Sequence, residues 1–280
     1  MKKIFSIVLM AFIMFTTSVF AADWTNQANV NRVNTIGKAL LEKNNLPSQV
    51  SFAVIETDEI NAYADGNNQI CVYTGLLNYV NDDAELAGVI AHEIGHIVNN
   101  HVAKQSIINT ITSALISRAN INQQLKTGAA VAQNLTMKKM SRDEEYEADI
   151  TAVDLMIRAG YNPLAMVSVL YKISGNYVDI IQDHPSGDKR TMYLYNYITY
   201  TYPDIVKQGY NTDSYKQFMN YAQPIVAARN ASPSKLKAFE QEQQELRAKR
   251  IAKLEKYKNT TNELGWQASF TMLKALMSGT

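Results

Sequence analysis

The sequence predicts an α+β fold that is mainly helical, with a small β-sheet or hairpin beside a long helix. Runs of β-branched and aromatic residues are convincing only between residues 49 and 73, where two of them flank the turn residues 65–68 (Asp-Gly-Asn-Asn). From Leu76 onward, apolar residues recur at the three- and four-residue spacing of one helix face. We therefore expect one β region near the start of the chain and helices after it.

The first 21 residues have the pattern of a signal peptide. Lys2 and Lys3 precede an apolar run over residues 4–15, and Val-Phe-Ala at residues 19–21 resembles a cleavage site. We expect cleavage after Ala21 and an exported mature chain, periplasmic or secreted. The alternative is an uncleaved membrane anchor, but the apolar run is shorter than the about 20 residues that a bilayer requires. No later stretch is long and apolar enough, so we expect no membrane span in the mature chain.

The composition of the 280 residues is that of a globular protein, with 46% hydrophobic and 19% charged residues. The formal net charge is +1, and no basic cluster contains interleaved aromatic residues, which argues against a nucleic-acid partner.

Cys71, the single cysteine, cannot form an internal disulfide and is typical of a small buried hydrophobic residue. We expect a main domain over residues 22–203 and a helical C-terminal extension over residues 204–280.

Strands and helices are assigned from periodicity and from their end residues. Residues 49–56 have the composition of a strand, and residues 61–64 and 69–73 are expected to pair as a hairpin. Asp82 or Asp83 is a good N-cap, and Pro163 suits the first turn of a helix. The predicted helices span residues 28–43, 82–101, 142–159, 163–174, 189–202 and 235–257, with one or two more within 103–137.

The helix over residues 189–202 is the ambiguous one. Tyr193, Tyr195 and Tyr197 alternate as they would in a strand, whereas Met192, Tyr195 and Ile198 fit a helical face. We favour the helix.

Residues 92–96 carry the motif HExxH within a predicted helix. Residues four apart on a helix project from one face, so His92 and His96 can bind the same zinc ion. Glu93 can then reach the open side of the metal and act as general base toward a water molecule. The alternative is two ordinary surface histidines, which a chain with four histidines in total makes a weak explanation.

A catalytic zinc ion needs a third protein ligand as well as an open position. His101 lies about 180° around the helix from His92, and no glycine turn follows His96 to bring it back, so we interpret His101 as structural. A better candidate is the predicted helix after Ser141, where Glu145 and Asp149 share one face. One carboxylate can bind the metal, while the other supports a ligand histidine or donates a proton.

The order of these motifs resembles a known family. HEIGH, then ExxAD on a later helix, then His184-Pro185 with a downstream Arg190, is similar to the HtpX-like and CAAX-prenyl-protease-like zinc metallopeptidases over about residues 50–200. The resemblance implies a zincin-like core that holds one zinc ion per chain. It implies that the zinc ligands are His92, His96 and Glu145.

The resemblance also implies roles for three further residues. Glu93 corresponds to the catalytic base, and Asp149 to a residue that supports a ligand or donates a proton. His184 corresponds to a histidine that stabilises the transition state or serves as a fourth zinc ligand in the resting enzyme. The last 80 residues lie outside the resemblance, and the chain has neither the transmembrane helices nor the tetratricopeptide repeats of some members.

The functional hypothesis is a zinc-dependent endopeptidase whose substrates are polypeptides, with unfolded or misfolded envelope proteins implied by the resemblance. An extended substrate could add as a strand to the edge at residues 61–64. The alternatives are a zinc-stabilised binding or chaperone-like protein without proteolytic activity, and a helical protein with an accidental HExxH that binds no zinc. The sequence carries no signal for the oligomeric state.

Overall fold

The computed structural model describes residues 26–46, 49–102, 140–175, 184 and 187–261. The predicted signal peptide and the predicted helices within residues 103–137 lie outside the described residues. The described chain divides into two compact units, with the boundary between Met219 and Asn220. Among the described helices, none combines the length and the apolar character needed to cross a membrane.

The β region is a three-stranded sheet in the order β1-β3-β2. Its strands are β1 (Ser51–Ile55), β2 (Ala62–Ala64) and β3 (Gln69–Tyr73). β2 pairs antiparallel with β3, which confirms the predicted hairpin. β1 pairs parallel with β3, a pairing that the sequence analysis did not predict. Parallel neighbouring strands need a long connection between them, and residues 56–68 form the connection from β1 to β3. The same connection contains β2, which lies on the other side of β3.

Helices make up most of the remaining described chain, so the mainly helical α+β prediction is confirmed. The first is α1, over residues 26–43. The others are α2 (Thr74–Tyr79), α3 (Asp83–Val98), α4 (Arg142–Arg158), α5 (Leu164–Gly175), α6 (Asp188–Thr201), α7 (Pro203–Gln208), α8 (Asp213–Asn230) and α9 (Pro233–Thr261). The ambiguous tyrosine-rich segment is helix α6, because its buried residues follow a helical face that packs on α4 and α5.

Two side-chain caps fix the starts of the helices that matter for the site. The Asp82 carboxylate accepts a hydrogen bond from the Glu85 backbone N–H at 2.9 Å and begins α3. Ser141 and Glu144 form a reciprocal capping box at the start of α4. At the other end of α4, Gly160 has φ +86°, a left-handed conformation that ends the helix. Both helices therefore begin where their sequence signals predict.

The end of α3 differs from the prediction that this helix continues to about His101. α3 ends at Val98, and Asn100 has φ +60°. Asparagine enters the left-handed region more readily than other non-glycine residues, so a turn forms there without glycine. His101 is folded back toward α3 as a result.

Helix α3 lies at the centre of the first unit. All of its residues from Glu85 to Ile97 are buried, because α4, α5 and strand β2 pack around it. A helix enclosed in this way carries its polar residues into the protein interior, where they need partners. The HExxH motif is thus held in a rigid and largely dehydrated environment.

Candidate metal centre

The close approach of α3 and α4 depends on Gly95. A Cβ atom on Gly95 would lie 2.8 Å from the carbonyl oxygen of Ala148 and 3.1 Å from its Cα. Nearby, the Asn99 side-chain amide donates to the Gly95 carbonyl and to Thr151 Oγ1, both at 2.8 Å. The absence of a side chain at position 95 lets the α4 backbone rest directly on α3. This contact brings the carboxylate of Glu145 to the histidines of α3.

A Gly95→Ala variant is expected to weaken both folding and metal binding. The added methyl group overlaps backbone atoms, which can yield only if the helices separate, and overpacking of this kind costs about 1–3 kcal/mol. The loss is measured by urea unfolding of chelator-treated protein, and metal affinity by competition with a coloured chelator. Gly175→Ala is the matched control, because no atom lies within 4 Å of a Cβ there. Wild-type stability and affinity in Gly95→Ala would contradict the proposed role of the contact.

Four buried side chains converge on one point between α3, α4 and residue 184. His92 Nε2 lies 3.0 Å from His96 Nε2. The Glu145 oxygens lie 3.4 Å from each of these nitrogens. His184 Nδ1 lies 3.3 Å from His92 Nε2 and 2.9 Å from Glu145 Oε1. Of the described residues, only this group has metal-ligating atoms gathered so closely.

The spacing of these donor atoms fits a metal ion. Ligand atoms about 2.0–2.2 Å from a tetrahedral metal lie about 3.3–3.6 Å from one another, close to the separations observed here. When the Nδ1–H groups of His92 and His96 point outward, both Nε2 atoms direct lone pairs at the same point. A metal ion at that point would accept both lone pairs. The three residues predicted as ligands and His184 are therefore brought together.

Arg190 organises the two carboxylates of α4. Its Nε and Nη2 donate to the two oxygens of Asp149 at 2.6 and 2.7 Å, and its Nη1 lies 2.7 Å from Glu145 Oε2. Asp149 Oδ1 in turn lies 2.9 Å from His92 Nδ1. Asp149 thus faces the outer nitrogen of a predicted ligand instead of the metal position. The sequence analysis gave Arg190 no role of its own, since nothing local indicates which carboxylates a buried arginine will contact.

Burial and charge set the protonation of the α4 carboxylates. Burial alone would raise the pKa of Glu145, but His184 and Arg190 hold it well below its usual range. Burial would likewise raise the pKa of Asp149, and Arg190 lowers it. Both carboxylates are therefore ionised at neutral pH. One can serve as an anionic metal ligand and the other as a hydrogen-bond acceptor.

The two histidines of the motif have different electrostatic surroundings. Burial favours the neutral form of His92, but Asp149 and Glu145 outweigh it and raise the pKa of His92 to about 9. For His96, burial dominates and lowers the pKa to about 3. His96 is thus neutral before any metal ion binds, whereas an ion would have to displace a proton to bind His92.

Glu93 lies outside the group of metal-ligating atoms. Its side chain is 1% exposed, and burial raises its pKa above the ordinary value, which favours proton transfer near neutral pH. The backbone of Ala64 on the edge strand β2 lies close enough to offset a small part of this rise in pKa. An apolar cavity adjoins it. The cavity is lined by Val89, His92, Glu93, Met166, Val169, Leu170, Ile173, His184 and Arg190.

Comparison with known proteins agrees with this arrangement. Metalloprotease LoiP from Escherichia coli (strain K12) is 29% identical over 180 residues, 60% of this chain and 70% of that protein. Mitochondrial metalloendopeptidase OMA1 from Arabidopsis thaliana is 35% identical over 154 residues, 52% of this chain but 31% of the relative. Beta-barrel assembly-enhancing protease from Yersinia pestis is 25% identical, with 56% of this chain and 36% of the relative covered. The chain thus matches about a third of the length of the last two.

A family model gives the broader assignment. The model described as peptidase family M48 matches residues 27–198, a segment that contains all four members of the metal-ligating group and Glu93. The match covers more than half of the chain and confirms the family resemblance seen in the motifs. The chain belongs to peptidase family M48.

Proposed function

We propose that this chain is a zinc-dependent endopeptidase that uses Glu93 as its general base. The observation that carries the proposal is the convergence of two imidazoles and one carboxylate beside a buried glutamate that is itself outside the ligand group. Two histidines and a glutamate are a common ligand set for catalytic zinc. His92, His96 and Glu145 would hold the ion.

The chemistry divides between the ion and the protein side chains. A zinc ion in this site supplies Lewis-acid chemistry, lowering the pKa of an adjacent water to about 7 and polarising a carbonyl group. Glu93 accepts the proton of the water as its oxygen attacks the peptide carbonyl, and then returns that proton to the leaving amine. Asp149 and Arg190 keep His92 in the tautomer whose Nε2 lone pair faces the metal.

His184 would be a fourth donor to the ion in the resting site. Its Nδ1 lies as close to Glu145 and His92 as those ligand atoms lie to each other. With zinc bound, catalysis would need a position free for the substrate carbonyl, so the His184 ring would have to move away when a peptide binds. Its Nε2 lies 3.6 Å from Glu93 Oε1, and from there the ring can donate a hydrogen bond to the developing oxyanion.

The surroundings of Glu93 favour an extended polypeptide as substrate. β2 is an edge strand that packs on α3, and its Ala64 backbone lies near Glu93, so a peptide added to this edge would pass the base. Backbone hydrogen bonding accepts any side chain, and the adjacent cavity offers an apolar wall. Unfolded chains expose both an extended backbone and apolar side chains. The edge strand and the apolar cavity thus support unfolded or misfolded polypeptides as substrates. The predicted signal peptide supports a periplasmic location, and therefore envelope proteins among those substrates.

The test begins with the metal and the activity of the chain from residue 22. We expect one zinc ion per chain, cleavage of unfolded casein, inhibition by a chelator and recovery when zinc is added back. Stoichiometric zinc without cleavage of casein would support the zinc-stabilised binding protein instead. A chain that binds no zinc would contradict the proposed function.

A further inference from the structure

We propose that His101 and Glu147 form a relay that positions His96 for metal binding, an inference that rests on the proposed zinc site. His101 Nδ1 lies 3.0 Å from His96 Nδ1, on the side of the ring away from the metal position. The other nitrogen of His101, Nε2, lies 3.1 Å from Glu147 Oε2. The three side chains thus form a continuous line from the metal position to α4.

The protons along this line can be assigned. His96 binds a metal through a lone pair on Nε2 only if its proton is on Nδ1. That Nδ1–H then donates to His101 Nδ1, which must be the unprotonated nitrogen of its ring. The proton of His101 is consequently on Nε2, and it donates to the carboxylate of Glu147. Each atom has the donor or acceptor character that its neighbour requires. The Glu147 carboxylate is the final acceptor, and it fixes the direction of both hydrogen bonds.

This relay parallels the support of His92 but uses different residues. His92 meets the carboxylate of Asp149 directly, whereas His96 reaches a carboxylate only through a second imidazole. His101 is 4% exposed, so an unpaired ring nitrogen there would be costly. Helix α4 therefore acts on both ends of the His96 ring, through Glu145 at Nε2 and through Glu147 by way of His101 at Nδ1.

The chain turn at Asn100 makes the relay possible. Nine residues separate His92 from His101, and on a continuous helix they would point in opposite directions. The left-handed conformation of Asn100 directs the His101 ring to the outer nitrogen of His96, and not to the metal position. His101 and Glu147 are thus positioning residues for a predicted ligand.

The experiment compares zinc affinity with the stability of the metal-free protein. His101→Phe keeps an aromatic ring but removes the acceptor for His96, and we expect the zinc dissociation constant to rise about 10–100-fold. Glu147→Ala is expected to raise it about three- to tenfold, because the relay loses its orienting carboxylate. His101→Gln can still accept from His96 through its amide oxygen, so we expect it to restore most of the affinity.

The controls separate positioning from a general structural role. Asp143→Ala removes an exposed acidic charge from the same helix and should leave zinc affinity within about twofold. Urea unfolding in excess chelator should give closely similar midpoints for the wild type and Glu147→Ala, because Glu147 is partly exposed. If His101→Phe does not fold, Glu147→Ala still tests the relay. A weaker metal-free fold with unchanged zinc affinity would overturn the relay. Absence of zinc from the wild type would instead refute the proposed function itself.

Discussion

A Glu93→Gln variant is expected to keep its zinc and lose its peptidase activity. Glutamine has the size of glutamate but cannot accept a proton, and general-base catalysis contributes about 10²–10⁴-fold to rate. Glu93 is outside the group of metal-ligating atoms, so its replacement leaves the donor set intact. We therefore expect kcat to fall by about 10²–10⁴-fold while zinc per chain remains at the wild-type value.

The measurement pairs zinc analysis with cleavage of unfolded casein and of a fluorogenic peptide. Asp83→Asn makes the equivalent change on the exposed first turn of α3 and should leave the rate within about twofold. If Glu93→Gln cleaved casein at a rate within tenfold of the wild type, another group would have to accept the proton. Loss of zinc in this variant would show that Glu93 helps to hold the metal.

An Arg190→Met variant is expected to destabilise the metal-free protein by about 3–5 kcal/mol, because it leaves buried carboxylates without their cation. Glu145 and Asp149 are fully buried, and both contact the guanidinium. Methionine replaces the volume of the side chain but none of its hydrogen bonds. Part of this loss should return when zinc is added, since the ion compensates the charge of Glu145 but not that of Asp149.

Urea unfolding with and without zinc measures both parts of this expectation. Arg142→Met is the matched control, because it removes an exposed arginine from α4 and should change the free energy of unfolding by less than about 0.5 kcal/mol. Arg190→Lys should recover stability only in part, since an ammonium group cannot bind both oxygens of Asp149 in a planar fork. A loss below about 1 kcal/mol in Arg190→Met would contradict the assigned role of the arginine.

Most secondary structure could be predicted from local signals. The caps at Asp82 and Ser141 and the glycine at position 160 are short-range features, and the helix ends that they define agree with the predicted N-cap at residue 82 or 83 and the predicted helix over residues 142–159. The parallel pairing of β1 with β3 could not be predicted, because it depends on a crossover that itself contains a strand. The end of α3 at Val98 was also missed, since an asparagine in a left-handed turn leaves little trace in the sequence.

The sequence by itself determined the part of the site that lies within one helix. His92, Glu93 and His96 are spaced by helical geometry, so the motif places them next to one another as soon as α3 forms. Glu145 was identified through the order of motifs in the family, while periodicity alone left it equivalent to Asp149. Local patterns cannot distinguish two carboxylates on the same helix face.

Only the tertiary structure decided which side chains meet across helices. Three contacts join residues on separate segments: Gly95 with Ala148, Arg190 with the carboxylates of Glu145 and Asp149, and His101 with His96. Such contacts depend on how closely and in what rotation the helices pack, which is set by the summed fit of many buried side chains. The motif therefore specifies the predicted ligands on α3, whereas packing specifies the residues that contact them.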